Sequence, residues 1–141
     1  MSEHVNAANG ALGLLGQVRK ISHTVEEKDT ASQWGNELLV LATPVLLWLS
    51  EIAAMGVFDE SLPEGWMSLG LSHDSRHIAP TPLGETITIS AELTAIGHNK
   101  LFYRVSATDE NGLILNGQHV RAVVPVEAFK KHVASRSGGD R

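Results

Sequence analysis

The 141-residue chain predicts an α+β fold in which an antiparallel β-sheet wraps around one long, buried α-helix. Residues 42–56, ATPVLLWLSEIAAMG, are apolar around the whole circumference of a helix, so they need cover on nearly every side. At about 13 helical residues the run falls short of the roughly 20 that span a bilayer, and a wrapped sheet is its soluble cover. Beyond it lie about four strand patterns joined largely by tight turns, a linkage that favours antiparallel pairing.

Composition bounds the rest. A 43% hydrophobic content suits a single domain with a real core. A net charge of -5 without any basic block argues against nucleic-acid or anionic-membrane partners. With no cysteine, disulfides, thiolate metal sites and cysteine nucleophiles are excluded. The N-terminus has no basic leader and only a short apolar patch, so a cytoplasmic location is expected.

In chain order, residues 1–15 are small and polar and read as a flexible lead-in, with one domain over 16–134 and a disordered tail over 135–141. Residues 16–25 read as a strand through the alternation of Val18, Ile21 or His23, and Val25, and residues 26–35 as a polar connection. Thr43 followed by Pro44 is a helix start, because a threonine hydroxyl can cap and proline at the first position gives up a donor with no intrahelical partner. Gly56 is the expected stop. Residues 59–65 read as a surface loop, 66–79 as a long strand, and Pro80, Pro82 and Gly84 as a rigid turn. From 85 to 96, Ile87, Ile89, Ala91, Leu93 and Ala95 alternate with polar residues, the pattern of a strand with one wet face. A turn at Gly97-His98-Asn99 leads to a strand over 101–108, and Asn111-Gly112 suits positive φ in the next hairpin. A strand over 113–124 ends at Pro125, and residues 126–134 read as a closing helix. A sheet curled around one apolar helix in this order is the hotdog arrangement.

The residues then resemble a known family, the hotdog-fold acyl-CoA thioesterases, and within it the fluoroacetyl-CoA thioesterase-like branch. The resemblance runs from about residue 16 to 129 and rests on VLATPVLLWLSEIAAM (40–55), SLG (68–70), RHIAPTPLG (76–84), TITISAEL (86–93), RVSATDENG (104–112) and GQHVRAVV (117–124), in that order and spacing. It implies hydrolysis of an acyl-CoA thioester by a homodimer with active sites at the subunit interface. It implies a catalytic set of a helix-start threonine, a helix glutamate and a histidine before the proline turn, which fall on Thr43, Glu51 and His77. A glycine amide and a late-strand arginine that handle the acyl group in that branch fall on Gly70 and Arg121. Where the fluoroacyl specialist places an aromatic gate, this chain has Glu37, so fluoroacetate specificity is not implied.

Each residue also has a plainer reading. A carboxylate on an apolar helix is costly unless paired; desolvation would raise the pKa of Glu51 toward a base useful near neutral pH, whereas a helix-edge glutamate would simply reach solvent or an arginine. His77 titrates in the working range, or is a histidine on a wet strand face. Thr43 caps the helix, or sits where helix amides and dipole steady an oxyanion, or both. Arg121 holds a carboxylate or an acyl or phosphate oxygen, or makes a cross-strand ion pair, and Gly70 allows a close backbone approach. Thr43 and Glu51, eight residues apart, stand about 12 Å apart along the axis, which makes a site composed from two protomers the natural arrangement. His73 and His77 share a strand face about 13 Å apart, and with no histidine–carboxylate cluster at ligand spacing no metal or other cofactor is expected. The alternative function is a non-catalytic hotdog module that binds an acyl thioester or related ligand. A hydratase is disfavoured because residues 43–56 hold no histidine.

Overall fold

The apolar run does become one helix, but it is longer than its glycine suggested. In the computed structural model, which describes Ala8 and residues 12–138, α1 spans Thr43–Phe58. Gly56 lies inside it, because nothing forces a positive φ there, and Asp59 takes the C-cap. The N-cap is Ala42, with Pro44 in the first turn and no side-chain cap, which removes the capping role expected of Thr43. The helix start is fixed by the chain around it instead: the Ala42 amide donates to the Asp29 carbonyl at 2.9 Å and the Leu41 amide to the Thr81 carbonyl at 2.8 Å.

Five strands follow the expected order with slightly different ends: β1 (Val18–Thr24), β2 (Trp66–His77), β3 (Thr86–Gly97), β4 (Lys100–Asp109) and β5 (Gly112–Pro125). They form one antiparallel sheet in the order β1-β3-β4-β5-β2, so β1 and β2 are its edges. The closing helix, α2 (Val126–Arg136), runs two residues into the segment expected to be a disordered tail. Most of the expected lead-in, and the end of the tail at 139–141, lie outside the described residues.

The strict alternation of β3 and β4 is realised as burial. Ile87, Ile89, Ala91 and Leu93 on β3, with Leu101, Tyr103, Val105 and Ala107 on β4, face the inner side of Leu46, Leu49 and Ala53 of α1. Ala95 escapes the pattern and is exposed, because a bulge shifts the β3–β4 register between Leu93 and Ala95. The β3–β4 loop is His98-Asn99, both at positive φ, as a two-residue hairpin demands. In the β4–β5 turn Gly112 alone takes positive φ, while the Asn111 amide is held by Asp109 Oδ1 at 2.8 Å.

One chain does not cover α1 on every side as its composition seemed to require. Trp48 is 57% exposed, and Ile52 and Met55, on the same side of the helix, are only half-buried. Among the described residues no helix is long and apolar enough to cross a membrane.

Candidate functional site

A bulge in β2 decides which side chains meet α1. The β2–β5 register shifts between Gly70 and Ser72, so Leu71 is the extra residue and points out, 54% exposed. Ser68 and Gly70 before the bulge and His73 and His77 after it thus share the inner face, although plain alternation would put the two pairs on opposite sides. On β5 the residues opposite are Arg121, paired with Gly70, and His119, paired with His73. Both are buried polar groups on a face that otherwise carries Leu115 and Val123.

Two clusters result. Eight residues of helix rise about 12 Å and four residues of strand about 13 Å, so α1 and β2 bring Thr43 beside His77 at one level and Glu51 beside His73 at another. At the first level Thr43 Oγ1 and His77 Nδ1 are 2.7 Å apart. His77 Nε2 is buried without a hydrogen-bond partner among the described residues. Burial holds the His77 pKa below its ordinary value, with the Ala79 backbone opposing, so the ring is neutral near pH 7. A cavity of about 410 Å³ opens here, walled by Ala31, Trp34, Val40, Thr43, His77 and Ile78 among others.

At the second level the Glu51 carboxylate accepts from two basic side chains. Arg121 Nη1 donates to Oε1 at 2.8 Å and His73 Nε2 to Oε2 at 3.0 Å. Three more Arg121 donors go to Ser68 Oγ, the Ser68 carbonyl and His119 Nε2, at 3.0, 3.2 and 3.1 Å. The His119 Nδ1–H donates to the Ser72 carbonyl at 2.9 Å. Since a carbonyl only accepts and Arg121 only donates, His119 is the neutral tautomer with its proton on Nδ1. Its pKa is lowered to about 4, chiefly by burial. Gly70 is needed at this level because a Cβ there would stand 2.6 Å from Glu51 Oε1.

Glu51 does not show the raised pKa expected of a desolvated carboxylate. Burial pushes it up, but hydrogen bonds from His73 and Arg121 outweigh burial and hold it below its ordinary value. It is a paired anion at neutral pH. The plain reading of Arg121 as a cross-strand ion pair gives way to an arginine that reaches from sheet to helix.

The structure thus brings Thr43 to His77, and Glu51 to Arg121 and Gly70, but among the described residues no hydrogen bond joins the two sets. Sequence reasoning missed His73 and His119. The signal for His119 was its place two residues before Arg121, and that for His73 its place on the strand face of His77; the bulge that sets this face together with Gly70 against α1 leaves no mark in the pattern. Glu51, His73 and His119 offer atoms within 4.8 Å of one another, a histidine–carboxylate cluster that linear spacing could not reveal. The Arg121 guanidinium is hydrogen-bonded to two of these three, so the cluster already holds a cation of its own.

A five-stranded antiparallel sheet folded around one helix, with polar groups of helix and sheet meeting at two levels, defines a hotdog-fold protein. A hot-dog-like protein from Thermanaerovibrio acidaminovorans matches it with a TM-score of 0.83 at 26% identity, over 89% of this chain and 96% of that one. The chain belongs to the family described as fluoroacetyl-CoA-specific thioesterase, which matches residues 25–127. It is 37% identical to the fluoroacetyl-CoA thioesterase of Streptantibioticus cattleyicolor over 98 residues, 70% of each protein. A fluoroacetyl-CoA-specific thioesterase variant in complex with fluoroacetate and CoA superposes with a TM-score of 0.76 at 32% identity, over 82% of this chain and 98% of that one.

Proposed function

We propose that this protein hydrolyses the thioester of a small or medium acyl-CoA, with Thr43, Glu51 and His77 as its catalytic set, and that it works as a cytoplasmic homodimer. The observation that carries the reading is the 2.7 Å contact of the Thr43 hydroxyl with a neutral His77 on the wall of the cavity. The apolar part of that wall, Ala31, Val40 and Ile78, suits a short acyl chain. Fluoroacyl specificity is no part of the proposal, since Glu37 stands at the position of the aromatic gate.

Glu51 lies too far along α1 to reach its own Thr43, and a second protomer supplies the missing proximity. Exposed Trp48 on α1 and the edge of β2, which has no further strand beside it among the described residues, are features that a second copy would cover. Across such an interface Thr43 and His77 face Glu51 of the partner subunit. Water adds to the thioester carbonyl as its proton passes to the Thr43 hydroxyl and the hydroxyl proton to His77 Nδ1, while the anionic carboxylate orients the water. The C–S bond then breaks, and the CoA thiolate takes the proton from His77, leaving free acid and CoA thiol.

Release of free thiol from a panel of acyl-CoAs tests the reading. Glu51→Gln and His77→Ala are expected to lower turnover by about 100-fold or more, with the oligomer intact and EDTA without effect on the wild type. Wild-type rates in both variants would remove Glu51 and His77 from the catalytic set, and a wild type that releases no thiol from any acyl-CoA would move the binding-module reading ahead. Light scattering is expected to show twice the 15.2 kDa chain mass, and a stable monomer at micromolar concentration would overturn the dimer.

A further inference from the structure

The geometry points to His73 as a positioning residue that locks the orientation of the Glu51 carboxylate; the inference rests on Glu51 taking part in the reaction proposed above. The carboxylate of a glutamate turns in a broad, shallow torsional well, so a single hydrogen bond does not fix its plane. Here each oxygen has one charge-capable donor: Arg121 Nη1 on Oε1 at 2.8 Å and His73 Nε2 on Oε2 at 3.0 Å. The arginine contact alone is not a fork, because the second Nη1 donor goes to His119, and Nε and Nη2 each donate to Ser68. Rotation about the Arg121 contact is therefore blocked by His73.

The ring of His73 is itself held. It stacks on His119 with centroids 4.1 Å apart and planes 14° from parallel. His119 is fully buried and fixed at both nitrogens, by the Ser72 carbonyl and Arg121. It is thus a rigid neutral plate under the His73 ring. A carboxylate only accepts, so His73 Nε2 carries a proton, while Nδ1 is buried and unpartnered. Its one polar engagement among the described residues is with Glu51. Gly70 leaves the carboxylate the room in which these two donors hold it.

The test is steady-state kinetics on an active acyl-CoA with wild type, His73→Ala, His73→Gln and Glu51→Gln, with thermal unfolding of each. A carboxylate displaced by a fraction of an ångström to 1 Å is expected to lower kcat by about 10- to 100-fold, with KM within about twofold because no substrate contact is lost. His73→Gln, whose amide N–H can reach the same oxygen, is expected to recover most of kcat. Wild-type kcat in His73→Ala, beside an inactive Glu51→Gln, overturns the positioning role and leaves the role of Glu51 standing. Equal loss in both His73 variants, tracking a lowered Tm, overturns it in favour of a packing role. Wild-type kcat in Glu51→Gln removes the catalytic role of Glu51 and this inference together, and leaves thioester hydrolysis standing.

Discussion

Thr43 shows how one hydroxyl is claimed by tertiary structure over a local role. Ala42 takes the N-cap and no side chain caps the helix, so Thr43 Oγ1 is free to meet His77 Nδ1. Thr43→Ala is therefore expected to leave stability nearly unchanged, well short of the roughly 1 kcal/mol that a lost cap costs, while lowering thiol release. Thr43→Ser keeps the oxygen and is expected to keep much of the activity. Urea denaturation beside the activity assay separates the two effects. An alanine variant that loses about 1 kcal/mol would restore the capping account.

At the scale of elements, α1 and β2 act as two rails whose rises match, about 12 Å for eight helical residues against about 13 Å for four strand residues. The match puts Thr43 with His77 and Glu51 with His73, and the bulge at Leu71 gives β2 the parity to do so. Gly56 plays no part in stopping α1 and sits within it at ordinary helical φ. Gly56→Ala is expected to stabilise by up to about 1 kcal/mol. A Cβ there would meet only the side chain of exposed Arg19, with Cγ at 3.1 Å, and that chain can move aside. Differential scanning calorimetry should show Tm raised by a few degrees; a lowered Tm would mean that Arg19 cannot yield.

Across the whole molecule, the buried polar cluster makes stability depend on pH in a defined window. His119 has a folded pKa near 4 against an ordinary 6.5, so between those values the unfolded chain binds more protons than the folded one. Its contribution is present above pH 6.5 and is lost as pH falls toward 4. His77, also lowered, acts with the same sign, and Glu51 extends the loss below its ordinary value of 4.5. Asp59, raised chiefly by burial, opposes them. The groups facing His119 are Arg121, His73, Glu51, the Tyr103 ring and the Ser72 carbonyl. Denaturation midpoints measured from pH 7 to pH 4 are expected to fall steadily. In His119→Asn, which does not titrate, the slope should flatten; an unchanged slope would exclude His119 as its source.

The sequence by itself determined the helix, the five strands and their antiparallel pairing, because apolar periodicity and turn chemistry are local properties written along the chain. It also singled out Glu51, since a carboxylate on an apolar helix must find a partner, and the structure supplies Arg121. Tertiary structure decided what periodicity cannot encode. The bulge after Gly70 turned His73 inward, a register partner from β5 placed His119 against it, and hydrogen bonds from His73 and Arg121 reversed the direction in which burial alone would shift Glu51. Those outcomes depend on residues as many as 70 positions apart. A pKa or a hydrogen-bond partner is set by distance in space, and only the packed sheet and helix fix that distance.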